Sequence, residues 1–238
     1  MFDDNAKMES SWGTPLRILL ITLVFAIGFL YYYFGPSLNE LQGNRPEASA
    51  SETLIALSIG GRQFTIPENY TQFPRARRGG ARANVALYAM LPDLTPFTIA
   101  NETIFENNDP DSPIVNFQLE SVRSPLNESQ KIERIYMPKV VDREGERALY
   151  GLTHFRFVEG TGTQNQDLFL GQDELGRTAA IVCDRNLQEI IPPSCRRISA
   201  LTEGVVLNYR FKRSHLRDWK EIDASVRALA LSFIDEPQ

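Results

Sequence analysis

Residues 204–233 read GVVLNYRFKRSHLRDWKEIDASVRALALSF, and a change of period inside this stretch decides the fold class. Up to Arg213 the side chains alternate. Val205, Leu207, Tyr209 and Phe211 lie opposite Val206, Asn208, Arg210 and Lys212. A period of two places the first set on one face of a strand. From Leu216 the spacing becomes three and four, through Trp219, Ile222, Val226, Leu229 and Phe233. This predicts an amphipathic helix of about 18 residues with one apolar stripe, capped by Ser214. Arg217, Lys220, Glu221 and Arg227 fall mostly elsewhere around it. The stripe could serve a partner helix or a membrane surface. The sheet would then have no cover, so packing against the sheet is the preferred reading.

Working upstream, Thr178–Asp184, Asp167–Gly171 and Ala148–Val158 read as further strands, the first two joined as a hairpin through Gln172–Gly176. Ser124-Pro125 reads as a helix cap followed by proline, opening a short helix through about Tyr136. Ile114–Val122 and Ala83–Met90 alternate as strands. Between them, residues 91–113 hold Pro92, Pro96, Pro110 and Pro113 and read as a loop. Leu54–Ile59 and Arg62–Ile66 flank Gly60-Gly61, a hairpin signal because both turn residues can take positive φ. Strands first, few helices and a closing helix predict an α+β domain. Its mainly antiparallel sheet would be covered by the C-terminal helix.

A different pattern precedes the domain. Ile18–Phe34, ILLITLVFAIGFLYYYF, carries no charge. With Leu16 and Arg17 it makes a helix of about 28 Å, close to the hydrocarbon core of a bilayer. Trp12 and Tyr31–Tyr33 bracket it as interfacial aromatics, and Pro36 follows. A buried helix of this length would show a polar stripe, and this one shows none. A cleaved signal peptide is the other alternative. Ala48-Ser49-Ala50 resembles a cleavage site, but the apolar run exceeds the usual length. An uncleaved anchor fits better. Lys7 and Arg17 stand before or at its start, and only Arg45 is basic in the fifteen residues after it. That bias places the N-terminus in the cytoplasm and the domain outside. The expected layout is a cytoplasmic segment 1–15, a transmembrane helix 16–34, a polar linker 35–52 and an extracytoplasmic domain 53–238.

Two cysteines, Cys183 and Cys195, fall in that domain and enclose a turn-rich loop, DRNLQEIIPPS. An even number in an oxidising compartment suggests a disulfide. The net charge is −5, which argues against a nucleic-acid binder. His154 and His215 lie in no metal-ligand spacing, and the nucleophile and phosphate-loop motifs are missing. Asn107, Asp109 and Asp111 alternate like calcium ligands, but Ser112 and Gln118 stand where such a loop needs Gly and Glu. The readings are therefore no catalytic residue, no metal and no cofactor. Arg75, Arg77, Arg78 and Arg82 crowd around Gly79-Gly80 as the densest positive patch. Arginine forks there suit an anion or an acidic protein surface, although a solvated loop between strands is the simpler explanation. Asn69, Asn101 and Asn127 open glycosylation triplets, relevant only in a host that glycosylates.

The runs LSIGGRQFTIPENY, RRGG, LPDLTPF and YRFKRSHLRDWKEID resemble a group of bacterial single-pass membrane proteins with no assigned function. The resemblance covers most of residues 54–233. It implies an inner-membrane protein facing the periplasm and transfers no catalytic residue. The expectation is a membrane-tethered domain that binds another envelope component or an anionic ligand. An envelope hydrolase using carboxylates with His154 or His215 is the alternative. A third is an assembly subunit packing through Thr22 and Ala26.

Overall fold

A computed structural model describes residues 13–35, 37–185 and 192–235. The chain forms two compact units, Met1–Arg45 and Pro46–Gln238. In the first, α1 (Gly13–Phe34) is followed by a single helical turn, α2 (Leu38–Leu41). Helix α1 is apolar all round and buries none of its residues, and its 22 residues are enough to cross a membrane.

The second unit is α+β. A hairpin of β1 (Leu54–Ile59) and β2 (Arg62–Pro67) leads to the short α3 (Pro74–Arg77) and β3 (Gly80–Arg82). Then come β4 (Asn84–Met90), α4 (Glu102–Glu106), β5 (Ile114–Ser121) and α5 (Glu128–Lys131). Strands β6 (Glu146–Arg147), β7 (Thr153–Arg156), β8 (Gln166–Gln172), β9 (Thr178–Asp184), β10 (Ser194–Thr202) and β11 (Val205–Lys212) follow, and α6 (Trp219–Ser232) closes the unit. Eight strands form one antiparallel sheet in the order β4-β5-β11-β10-β9-β8-β7-β6. Strands β2-β1-β3 form a small second sheet, with β3 parallel to β1.

The principal core lies between one face of the large sheet, the small sheet and α6. Leu207, Tyr209 and Phe211 of β11 meet Trp219, Ile222 and Val226 of α6 there, all nearly inaccessible. At about 25 cal/mol per Å², each large apolar side chain buried this way stabilises the fold by roughly 1.5–3 kcal/mol. The turn between β1 and β2 touches the turn between β10 and β11. Gly60 has φ +58°, and a Cβ on it would lie 2.3 Å from the carbonyl oxygen of Gly204. Only glycine fits both the backbone angle and the approach.

The structure departs from the sequence expectations in five places. The helix expected from Ser124 begins after Asn127, whose side chain accepts from Gln130 N at 2.8 Å while Gln130 Oε1 accepts from Asn127 N. That reciprocal cap is a stronger start signal than Ser-Pro. Residues 148–158 are not one strand, because Tyr150 and Gly151 take positive φ and turn the chain before β7. Ser214 does not cap the last helix; its hydroxyl donates to the Pro110 carbonyl. Residues 91–113 contain the short helix α4. Finally, β10 carried no expectation at all, because its buried positions include Arg197 and Ser199.

Candidate functional site

Among the described residues, the second face of the large sheet is covered at its two ends. At the β4 end, Tyr88 and Ile114 join Phe97 and Phe105 in a small aromatic cluster. At the other end, Phe155, Leu168 and Ala180 pack under Ile132, Tyr136 and Met137, the segment that follows α5. Glu128 Oε1 accepts from Ala180 N at 2.9 Å and Lys131 donates to the Ile198 carbonyl, which holds that segment down.

Between the two ends the floor is polar. It consists of Asn116 and Gln118 from β5, Asn208 and Arg210 from β11, and Arg196 from β10. Alternation places them there, since Phe117, Tyr209 and Arg197 point into the core. Three adjoining open depressions of about 370, 190 and 400 Å³ run along this floor, and Arg210 lines all three. A ladder of side-chain bonds crosses it. Gln72 Nε2 donates to Asn116 Oδ1 at 2.8 Å, Arg196 Nε to Asn208 Oδ1 at 2.8 Å, and Asn208 Nδ2 to Glu120 Oε1 at 2.9 Å. At one end, Lys212 Nζ donates to Asn108 Oδ1 at 2.6 Å. Burial and the neighbouring Arg210 charge hold the Lys212 pKa below its usual value, against the opposing pull of Asp109.

The arginines singled out from the sequence stay close together but differ in role. Arg77 is half-buried, donates to Thr71 Oγ1 at 3.1 Å and to the Glu47 carbonyl, and lies 3.4 Å from Glu68 Oε1. Arg82 donates to the Arg75 carbonyl at 2.9 Å. Arg75 sits over the Phe73 ring at 5.3 Å and is exposed, as is Arg78. Arg77 and Arg82 thus fasten the local chain.

Both histidines are also placed. His215 Nε2 lies 3.1 Å from the Ser112 carbonyl and 3.2 Å from that of Asp111, a bond that ties down the loop before β5. His154 stacks on Phe169, with Nε2 3.1 Å from Asp167 Oδ1. Asp167 Oδ1 also accepts from Arg185 Nε at 2.8 Å, and Oδ2 accepts from both terminal nitrogens of Arg213 at 3.2 Å. Burial opposes ionisation of Asp167, but Arg185 and His154 outweigh it and lower the pKa. A carboxylate gripped by two arginines beside a histidine is an anchored ion cluster that ties β8 to the residues around Arg185 and Arg213. Cys183 and Cys195 face each other across β9 and β10 and are joined in a disulfide.

Sequence reasoning passed over Arg196, Asn116 and Gln118. The usable signal was the outward set of alternating positions on β5 and β11, once β10 is recognised as the strand beside them.

No family model matches this chain, and no curated protein matches it. Solved structures with a related fold include Smlt3025, an immunity protein of the Stenotrophomonas maltophilia type IV secretion system. It is 15% identical, with a TM-score of 0.56 over 78% of this chain and 95% of that one. The iron-regulated outer membrane lipoprotein FrpD of Neisseria meningitidis is 15% identical, with a TM-score of 0.49 over 82% and 98% of the two chains. At 15% identity the likeness to Smlt3025 is one of fold.

Proposed function

We propose that this chain is a single-pass inner-membrane protein whose domain 53–238 lies in the periplasm and binds another envelope component without catalysis. One observation carries the binding role: the centre of an eight-stranded sheet is left open, polar and grooved between two aromatic ends. An antiparallel sheet commonly leaves one face to solvent, and here that face also carries adjoining depressions lined by arginine and amide side chains. The exposed apolar α1 supplies the tether, and the charge bias around it supports a cytoplasmic N-terminus. Tethering confines the search for a partner to one surface. A related fold in a protein described as an immunity protein favours a binder over a hydrolase. Arg75 and Arg78 offer a second, smaller contact on the same domain.

The test is crosslinking and affinity capture of the full-length chain from membranes, with alkaline carbonate extraction and protease treatment of spheroplasts alongside. The expected result is a carbonate-resistant protein whose domain is digested from outside and which captures one envelope protein reproducibly. Extraction by carbonate, protection of the domain in spheroplasts, or no capture would overturn the proposal.

A further inference from the structure

The open floor holds a like-charge pair that opposes folding. Arg196 on β10 and Arg210 on β11 are direct partners in the strand register, and both are exposed on the uncovered face. Directly opposed side chains stand about 5 Å apart at Cβ, and like charges at that spacing destabilise a sheet. Among the described residues, neither arginine lies within ion-pair distance of a carboxylate. Glu120 accepts from the Asn208 amide, and Asp184 accepts from Gln166 Nε2 at 3.1 Å and from Ser194 N at 3.3 Å. Arg196 commits only its Nε, to Asn208. Among the described residues, none accepts a hydrogen bond from the Arg210 guanidinium. Lys139 and Asp184 line the same depression, and Lys212 and Glu106 the next.

Resting on the binder reading above, we propose that this groove takes an acidic segment of a protein partner. Its carboxylates would be held by the guanidinium groups of Arg196 and Arg210. Planar forks match carboxylates bidentately. Asn116 and Gln118 supply amide donors and acceptors along the floor for a peptide backbone. Phe105 and Tyr136 line depressions at opposite ends of the groove and supply the aromatic contact that anchors protein interfaces. An isolated phosphate would use the two arginines and leave the rest of the groove empty.

The test uses the full-length chain in phosphatidylcholine nanodiscs and the fluorescence anisotropy of labelled octa-glutamate and octa-glutamine peptides. Octa-glutamate should bind at least about tenfold more tightly than octa-glutamine and should weaken as salt rises. Arg196→Gln with Arg210→Gln should cost about tenfold or more in affinity without lowering the melting temperature. The charge-matched control, Arg62→Gln with Arg143→Gln, lies outside the groove and should bind as the parent does. Arg210→Ala alone repeats the comparison with one charge kept.

Four outcomes overturn the groove assignment: no octa-glutamate binding, equal binding of octa-glutamine, unchanged binding by the arginine variants, or tighter binding of inorganic phosphate or phosphatidylglycerol vesicles than of the peptide. Repeating the membrane capture with Arg196→Gln/Arg210→Gln separates the two levels. A partner lost only from that variant supports the groove. A partner captured equally by both forms overturns the groove and leaves the binder reading standing. No capture by the parent overturns the binder reading itself.

Discussion

Arg196 and Arg197 are adjacent in the chain and lie on opposite faces of one strand. Arg197 points into the core, 4% exposed, and meets Asp223 of α6, whose other oxygen accepts from Tyr209 Oη at 2.8 Å. Burial works against the Arg197 charge, but Tyr209 and Asp223 outweigh it and raise its pKa. Burial, with the nearby Asp223 charge adding to it, pushes the Tyr209 phenol well above its usual value. Arg196 points the other way and faces Arg210. The covered face therefore neutralises its one buried cation, while the open face sets two cations together. The same residue type is structural on one side and available on the other, and only the partner distinguishes them.

That contrast can be broken most severely on the covered side. Asp223→Ala leaves Arg197 charged and buried without its partner, which should cost about 3–5 kcal/mol of stability. Urea unfolding of the full chain in micelles measures it. Arg197→Met with Asp223→Leu should recover most of the loss, because removing both charges leaves neither unpaired. An additive double-variant cycle would show that the two do not act as a pair.

Opening the disulfide by Cys183→Ala with Cys195→Ala should cost about 3 kcal/mol through the enlarged unfolded ensemble. Its readout is the unfolding midpoint with and without reductant, which should differ in the parent only. Gly171→Val is next. A Cβ there would lie 2.8 Å from the ring of the buried Trp219, and forcing that contact should cost about 1–3 kcal/mol.

A smaller effect concerns pH. The folded pKa of Asp167 lies below its unfolded value, so its ion cluster stabilises fully above about pH 4 and loses that contribution as pH falls through the folded pKa. Asp167→Asn should flatten the acid limb of a melting-temperature profile. Asp173 has the same direction of shift, held by Arg177, and would keep part of it. The smallest effect belongs to the open face. Arg210→Gln should change stability by no more than about 0.5 kcal/mol, in the favourable direction, since it relieves the like-charge pair. A loss of 2 kcal/mol or more, on the order of a buried-partner effect, would show that Arg210 is structural.

Much of the domain follows from local pattern. The Gly60-Gly61 hairpin, β4, β5, β9, β11 and the stripe of α6 all stand where period and turn chemistry place them, since each buries a simple apolar face. Strand β10 does not, because Arg197 and Ser199 on its inner face break the alternation that makes a strand legible. Its inner charge is stable only because Asp223 lies 26 positions later in the chain, and local pattern carries no record of so distant a partner. The arginine patch at residues 75–82 was visible as composition, whereas the work of Arg77 depends on Glu47 and Glu68 being folded beside it.

By itself the sequence determined the class of structure, an apolar helix ahead of an α+β domain, because hydrophobic period is a local property of the chain. The tertiary structure decided which arginines are spoken for and which face each other across the open sheet. Charge pairing depends on neighbours in space, and Asp223 reaches Arg197 only once α6 packs on the large sheet.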